Sequence, residues 1–332
     1  MGASILITGA AGYIGSHAIR TFLSENRMVV ALDDLSTGNR WAVPESIPFF
    51  FGDFADENLL QKIFSEHPIK TVVHFAAKTS VEESVRDPGL YERENFIKTK
   101  ALAQWCAANG VDHFVFSSTC AVYGSAPKVL VDEKTPARPD SPYGATKLAA
   151  EDVLFSIGKI STMKIAALRY FNVAGASADQ EIGQANDRVH SLVSICAEAA
   201  LGERKEVVIH GTDYPTKDGT GVRDYIHVVD LARAHFDVLR YLESGGENLI
   251  FNCGYGEPFS VREVVAAMEK VSGKKIQTRD GPRRPGDIPA IYADSSRMRK
   301  LTGWEPRLNN LNEICRSAYL WVEFNRGRSG SR

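Results

Sequence analysis

A strand-like run, Ser4-Ile5-Leu6-Ile7-Thr8, passes directly into Gly9-Ala10-Ala11-Gly12-Tyr13-Ile14-Gly15, which opens a helical pattern reaching Ser24. This order of strand, glycine turn and helix leaves few folds open. Glycine permits a tight turn and a close backbone approach to a ligand, and a helix N-terminus offers free amide donors. The combination suits a pyrophosphate and predicts the first βαβ unit of a dinucleotide-binding fold. The next strand-like run, Met28–Asp33, ends in a carboxylate eighteen residues after Gly15. An acid there accepts hydrogen bonds from an adenosine ribose and repels a 2′-phosphate, which favours NAD over NADP.

Apolar, β-rich runs follow at Ile47–Phe51, Thr71–Phe75, His113–Ser117, Lys164–Tyr170 and Leu249–Cys253. Helical patterns at Glu57–Glu66, Pro88–Ala108 and Ser141–Ile157 lie between them. Several runs are apolar at consecutive positions, as strands covered on both faces are. The alternation predicts an α/β protein with a Rossmann-type, doubly wound parallel sheet. It weakens after Gly175. Residues 176–222 read as loops with one helix at about Val189–Leu201, and 222–242 look helical in their second half. The expected division is an NAD-binding domain over 1–175, rejoined by 223–255, and a smaller C-terminal substrate domain from 176–222 and 256–326. Residues 327–332 are expected to form a flexible tail.

A chain of 332 residues is long enough for two such units. With 39 basic against 41 acidic residues, it lacks the positive excess that nucleic acid or an acidic membrane surface calls for. No apolar stretch reaches transmembrane length, and the N-terminus shows no basic and apolar regions of a secretory signal, so the expected location is the cytoplasm. Five scattered cysteines form no CxxC pair and eight histidines show no ligand spacing, so neither disulfides nor a metal site are expected.

The candidate for chemistry is Ser141-Pro142-Tyr143-Gly144-Ala145-Thr146-Lys147. Ser141 suits an N-cap and Pro142 the first helical position, which puts Tyr143 and Lys147 on one helix face. An ammonium beside a phenol favours the phenolate, and a tyrosine titrating near ~10 needs such help to act as a base near neutral pH. Taken alone, the pair also fits two surface side chains. Asp53, after the third strand run, is placed either to meet an adenine edge or to open Glu57–Glu66. Ala76 and Ala77, after Phe75, either leave room for the middle of a cofactor or pack the core.

Further motifs accumulate along the chain: Ser117-Ser118-Thr119, Val122-Tyr123-Gly124, Arg169-Tyr170-Phe171-Asn172, Asp213-Tyr214-Pro215-Thr216, the run from Asp218 to Val228, Arg284-Pro285-Gly286-Asp287 and Leu301-Thr302-Gly303-Trp304. With the glycine turn and the Tyr–Lys pair, they resemble the extended short-chain dehydrogenase/reductases and, within them, the UDP-glucose (UDP-galactose) 4-epimerases. The resemblance spans nearly the whole chain. It implies an isomerase of nucleotide-sugar and galactose metabolism that oxidises sugar C4 with tightly bound NAD and passes through a 4-keto intermediate. It also implies a homodimer that pairs Pro88–Ala108 and Ser141–Ile157 of two copies.

The resemblance assigns roles residue by residue. Tyr143 is the acid/base, Lys147 its electrostatic partner that also touches the nicotinamide ribose, and Thr119 the hydrogen-bond partner of sugar O4; Tyr143 and Lys147 count among the cofactor contacts as well, and Tyr143 and Thr119 among the substrate contacts. Cofactor contacts fall on Gly9, Gly12, Tyr13, Ile14, Gly15, Asp33, Asp34, Leu35, Ser36, Thr37 and Gly38, then on Asp53, Phe54, Phe75, Ala76, Ala77, Lys78, Asn95, Ser117, Tyr170 and Phe171. Substrate contacts fall on Asn172, Ser191, Leu192, Val208, His210, Arg223, Arg284, Asp287 and Ile291. The two arginines hold the UDP pyrophosphate, a role that suits guanidinium better than ammonium. Departures from the family pattern at Thr79, Ser191, His210 and Ile291 leave the sugar open, so 4-epimerases of UDP-N-acetylglucosamine, UDP-pentoses or UDP-glucuronate are alternatives. A 4,6-dehydratase needs an Asp-Glu pair after the threonine, where this chain has Cys120 and Ala121. A non-catalytic NAD sensor would lack the Tyr–Lys pair.

Overall fold

The computed structural model describes residues 2–126, 128–185, 191–284 and 286–329. The chain begins with β1 (Ser4–Thr8), α1 (Tyr13–Ser24), β2 (Met28–Asp33), β3 (Phe49–Phe51), α2 (Glu57–Glu66) and β4 (Ile69–His74). Next come α3 (Val81–Arg86), α4 (Pro88–Tyr91), a π-turn over Glu92–Ile97, α5 (Lys98–Ala108) and β5 (His113–Ser117). They are followed by β6 (Leu130–Val131), α6 (Pro142–Ile160), β7 (Lys164–Tyr170), β8 (Asn172–Ala174), α7 (Leu192–Ala200) and β9 (Val207–His210). Then come β10 (Val222–His227), α8 (Val228–Glu243), β11 (Leu249–Cys253), β12 (Pro258–Ser260) and α9 (Val261–Ser272). The last elements are β13 (Thr278–Gly281), β14 (Ala290–Ala293), α10 (Ser296–Thr302) and α11 (Leu311–Ser329).

Seven strands make the parallel sheet expected of the sequence, in the order β11-β7-β5-β4-β1-β2-β3. All five residues of β1 are buried, because helices cover both faces. Phe22 of α1 and Phe236 of α8 meet edge to face at 5.4 Å on one side, while Leu60, Leu102 and Leu154 of α2, α5 and α6 pack on the other. The chain steps outward from β1 to β2 and β3, then crosses to β4 on the far flank of β1. That reversal opens a crevice above the carboxyl ends of the strands.

Four differences from the sequence reading have physical causes. Residues 222–227 are a strand, β10, which pairs antiparallel with β12 and parallel with β14 and β8 in a second sheet. These pairings are long-range and leave no local periodicity. The helix expected over Pro88–Ala108 is interrupted by the π-turn, which brings Asn95 inward. The expected helix start at Val189 lies outside the described residues, and α7 begins at Leu192, capped by the Ser191 hydroxyl on Ser194 N at 3.2 Å. Finally, α11 runs to Ser329, so the segment expected as a tail begins inside a helix, and 330–332 lie outside the described residues.

Candidate active site

The glycine turn is built as its spacing predicts. Gly9 sits at φ +67°, and a Cβ on Gly15 would lie 2.1 Å from the Gly9 carbonyl oxygen. Only glycine at both positions lets α1 start this close to β1. The N-cap of α1 is Gly12, with no side chain to occupy the first-turn amides. Those donors face the crevice, the arrangement a pyrophosphate needs. Asp33 is buried at the end of β2, where its carboxylate accepts Ala11 N at 2.9 Å and Leu35 N at 2.7 Å. Burial raises its pKa, against the lowering effect of those two bonds. Each oxygen retains a further lone pair for a ribose hydroxyl. The cradle therefore fits the dinucleotide that the sequence calls for.

A cavity of about 490 Å³ opens above this turn. Of the expected cofactor residues, Gly9, Gly12, Tyr13, Ile14, Gly15, Asp33, Asp34, Ser36, Thr37, Phe54, Phe75, Ala76, Ala77, Lys78, Tyr170 and Phe171 line it. Thr119, Tyr143, Asn172, Ser191 and Leu192 line it as well, so the candidate chemistry and the cradle share one space.

Other expected residues stand behind that lining. The Asn95 side chain clamps the Lys78 backbone, accepting Lys78 N at 2.8 Å and donating to Lys78 O at 2.9 Å. Ser117 Oγ is 2.6 Å from the Tyr170 hydroxyl. Asp53 accepts Ala55 N at 2.9 Å and pairs with Lys98 at 2.6 Å. Leu35 and Gly38 belong to the turn around Asp33. The outer substrate residues are also beyond the lining. Ile291 is buried against Tyr123 and Phe171, and Arg223 is ion-paired with Asp287. Val208 and His210 lie on β9, with His210 Nδ1 3.3 Å from Pro282 O, and Arg284 is exposed.

Tyr143 and Lys147 occupy the start of α6, as expected: Ser141 Oγ caps Gly144 N at 3.1 Å and Pro142 takes the first turn. A Cβ on Gly144 would meet Ala121 O at 2.5 Å, so glycine there lets α6 abut the turn that carries Thr119. The Thr119 side chain favours ionisation of the Tyr143 phenol, and the Tyr91 ring meets the Tyr143 ring edge-on at 6.2 Å. The phenol pKa is raised well above that of a free tyrosine, by burial first and then by Tyr170. Lys147 follows one helical turn later on α6. Its Nζ stands 4.3 Å from the Phe116 ring centroid, and burial pulls the ammonium down to about 7. Burial outweighs the help that the four-residue spacing promised.

Part of the wall carries no motif. Trp41 and Asn39 line the cavity, together with Gly183, Gln184 and Ala185. Trp41 stacks on Trp321 of α11 with 5.9 Å between ring centroids, and Trp321 Nε1 donates to Gln184 O at 3.1 Å. A Cβ on Gly183 would fall 2.5 Å from the same indole. Arg20 of α1 pairs with Asp179 and Glu181 at 2.7 and 2.6 Å, and the Tyr13 hydroxyl donates to Gly175 O at 2.6 Å. Residues 175–185 are thus fastened to both ends of the chain. Two isolated tryptophans give no sequence signal for such a contact. Among the described residues no group of three or more His, Cys, Asp or Glu side chains is arranged to hold a metal ion, and no helix is long and apolar enough to cross a membrane.

Comparison with known proteins agrees with this geometry. The UDP-glucose 4-epimerase of Azospirillum brasilense is 43% identical over 330 residues, which cover 98% of this chain and 95% of the relative. The crystal structure of UDP-glucose 4-epimerase from Bifidobacterium longum in complex with NAD+ and UDP matches with a TM-score of 0.92 at 35% identity, covering 98% of this chain and 99% of that one. A UDP-glucose 4-epimerase from Stenotrophomonas maltophila, with bound NAD and formylated UDP-arabinopyranose, matches with a TM-score of 0.94 at 36% identity over the whole of both chains. The profile of one family matches residues 5–254, and this chain belongs to it: the NAD dependent epimerase/dehydratase family.

Proposed function

We propose that this chain is an isomerase that interconverts UDP-galactose and UDP-glucose by inverting sugar C4, with NAD held throughout. The observation that carries the reading is one cavity lined both by the glycine cradle and by Thr119 and Tyr143. Bound NAD supplies reversible oxidation at the sugar carbon. The chain's own residues handle the proton, anchor the nucleotide and exclude water. Tyr143 takes the O4 proton, directly or through Thr119, and returns it to the inverted oxygen. Burial disfavours the phenolate, so positive charge at Lys147 is needed to reach it.

Arg223 and Arg284 anchor the UDP pyrophosphate, with Asp287 at the ribose and Val208 and His210 toward uracil. Arg223 is ion-paired with Asp287, and a pyrophosphate competes for that guanidinium. Asn172, Ser191 and Leu192 face the sugar. Binding energy placed on the unreactive UDP leaves the hexose free to turn. Residues 1–175 with 223–255 serve the dinucleotide, and 176–222 with 256–326 serve the UDP-sugar. We also infer a cytoplasmic homodimer that pairs Pro88–Ala108 and Ser141–Ile157 across copies. Ile97, 51% exposed on that surface, supports the pairing, and a monomer by light scattering would contradict it.

The test is to supply purified protein with UDP-galactose and no added NAD. Formation of UDP-glucose is expected. Stoichiometric demand for external NAD, with accumulating NADH, would make the epimerase reading wrong. A second reading, a 4-epimerase of another UDP-sugar, is favoured by the UDP-arabinopyranose derivative bound in the Stenotrophomonas relative. Faster turnover of UDP-arabinose, UDP-N-acetylglucosamine or UDP-glucuronate in the same assay would establish it.

A further inference from the structure

Glu151 lies one helical turn beyond Lys147 and two beyond Tyr143 on α6, with its side chain 1% exposed. It accepts from Arg169 Nε at 2.9 Å on one oxygen, and from Nε at 3.1 Å and Nη2 at 2.5 Å on the other. The Ser118 hydroxyl donates to it as well. Ser118 immediately precedes Thr119, and Arg169 immediately precedes Tyr170 and Phe171. The Arg169 guanidinium in turn lies over the Tyr123 ring at 4.9 Å, and the Tyr123 hydroxyl donates to Asn252 Oδ1 at 2.7 Å. One buried carboxylate therefore ties together the three segments that bring Thr119, Tyr143 with Lys147, and Tyr170 with Phe171 to the cavity.

A buried ion pair adds little stability compared with well-packed apolar side chains of the same volume, so stability alone does not explain the group. We propose that Glu151 is a positioning residue of the reaction: through Ser118 and Arg169 it sets the spacing of Thr119, Tyr143 and Tyr170, and its carboxylate is the counter-charge to Lys147. The proposal rests on the epimerase reading. Among the described residues, titratable groups stand near Lys147 on two elements. Tyr143 and Glu151 are on its own helix, and His74 is on β4, held neutral by burial and by Lys147 itself; β5 contributes only the uncharged Phe116 ring. Among the described residues Glu151 is the anion that raises Lys147, opposing the burial that lowers it to about 7.

The experiment compares the NAD-loaded wild type with Glu151→Gln, Glu151→Asp and Ser118→Ala, following kcat and KM for UDP-galactose against pH. The ammonium is lost as pH rises through its pKa, and removing the carboxylate lowers that pKa. In Glu151→Gln the falling alkaline limb of kcat therefore moves to lower pH by roughly one unit. Ser118→Ala and Glu151→Asp keep the charge and lose the spacing. In both, kcat falls on the order of tenfold at unchanged KM, with the limb in place. A Glu151→Gln profile that coincides with wild type overturns the counter-charge role. If that variant does not fold, wild-type kcat in both Ser118→Ala and Glu151→Asp overturns the proposal. A wild type that turns over no UDP-sugar removes the epimerase reading, whereas wild-type turnover with unmoved variants removes only the proposal.

Discussion

Gly15→Ala sets two physical effects against each other. Gly15 lies in α1, where helix propensity favours alanine over glycine by ~0.8–1.0 kcal/mol. The cradle reverses the sign. The new Cβ would stand 2.1 Å from Gly9 O, 2.9 Å from Gly9 C and 3.0 Å from Ala10 Cα. The closest of these is more than about 1 Å inside ordinary contact distance. The turn cannot simply retreat, because Gly9 is itself closed in: a Cβ there would meet Ala76 N at 2.5 Å. Overpacking of this kind costs about 3 kcal/mol, the upper end of the usual range. After the helical gain, a net loss of roughly 2 kcal/mol remains. For a chain of 332 residues, with an unfolding entropy of about 0.7 kcal/mol/K, that lowers the melting temperature by about 3 °C. Relief of the strain moves the amides that hold the pyrophosphate, and the same energy corresponds to roughly a 30-fold loss of NAD affinity. The assay is NAD content after gel filtration, together with thermal melting with and without added NAD. Gly12→Ala is the control, since its Cβ would meet nothing nearer than 3.2 Å, and it should melt close to wild type. A Gly15→Ala protein with wild-type melting and a full complement of NAD would refute the reasoning.

Tyr143→Phe removes the phenol hydroxyl from the cavity that Thr119 also lines and should lower turnover at least ~100-fold while leaving NAD content unchanged; unimpaired turnover would take Tyr143 out of the mechanism. Trp321→Ala removes the stack on Trp41 and the bond to Gln184, and NAD should dissociate at least ~10-fold faster below the melting temperature, as read by exchange of labelled cofactor. An unchanged dissociation rate would show that residues 175–185 do not retain the cofactor. Burial lowers His17 and His74 to about 3, and His227 and His235 to about 4. The folded state keeps them neutral while the unfolded chain protonates below about 6.5, so each removes about 1.4 kcal/mol of stability per pH unit from there down toward its folded value. Melting temperature should fall steeply between pH 6.5 and 5, and a flat profile would contradict the burial of these four imidazoles.

Much of the site was legible because its signals are local. Glycines at 9, 12 and 15 between a strand and a helix, Asp33 at a strand end, and Tyr143 four residues before Lys147 are patterns of neighbours. Local backbone geometry is enough to carry them into three dimensions. Asn95, Asp53 and Ser117 were harder to assign, because a side chain beside the cavity and one on its lining look alike in sequence. The π-turn that brings Asn95 onto Lys78 has no signature in residue types alone.

By itself the sequence determined the seven parallel strands, their covering helices and the chemistry offered at the carboxyl ends, since period, turn residues and caps act within a few positions of the chain. Only the tertiary structure decided the second sheet around β10, the fastening of Trp41 to Trp321 and the carboxylate of Glu151 beneath three segments that reach the cavity. It also decided the protonation balance: burial holds the Tyr143 phenol neutral and draws Lys147 toward 7, because desolvation depends on what surrounds a group in space and not on its neighbours in sequence.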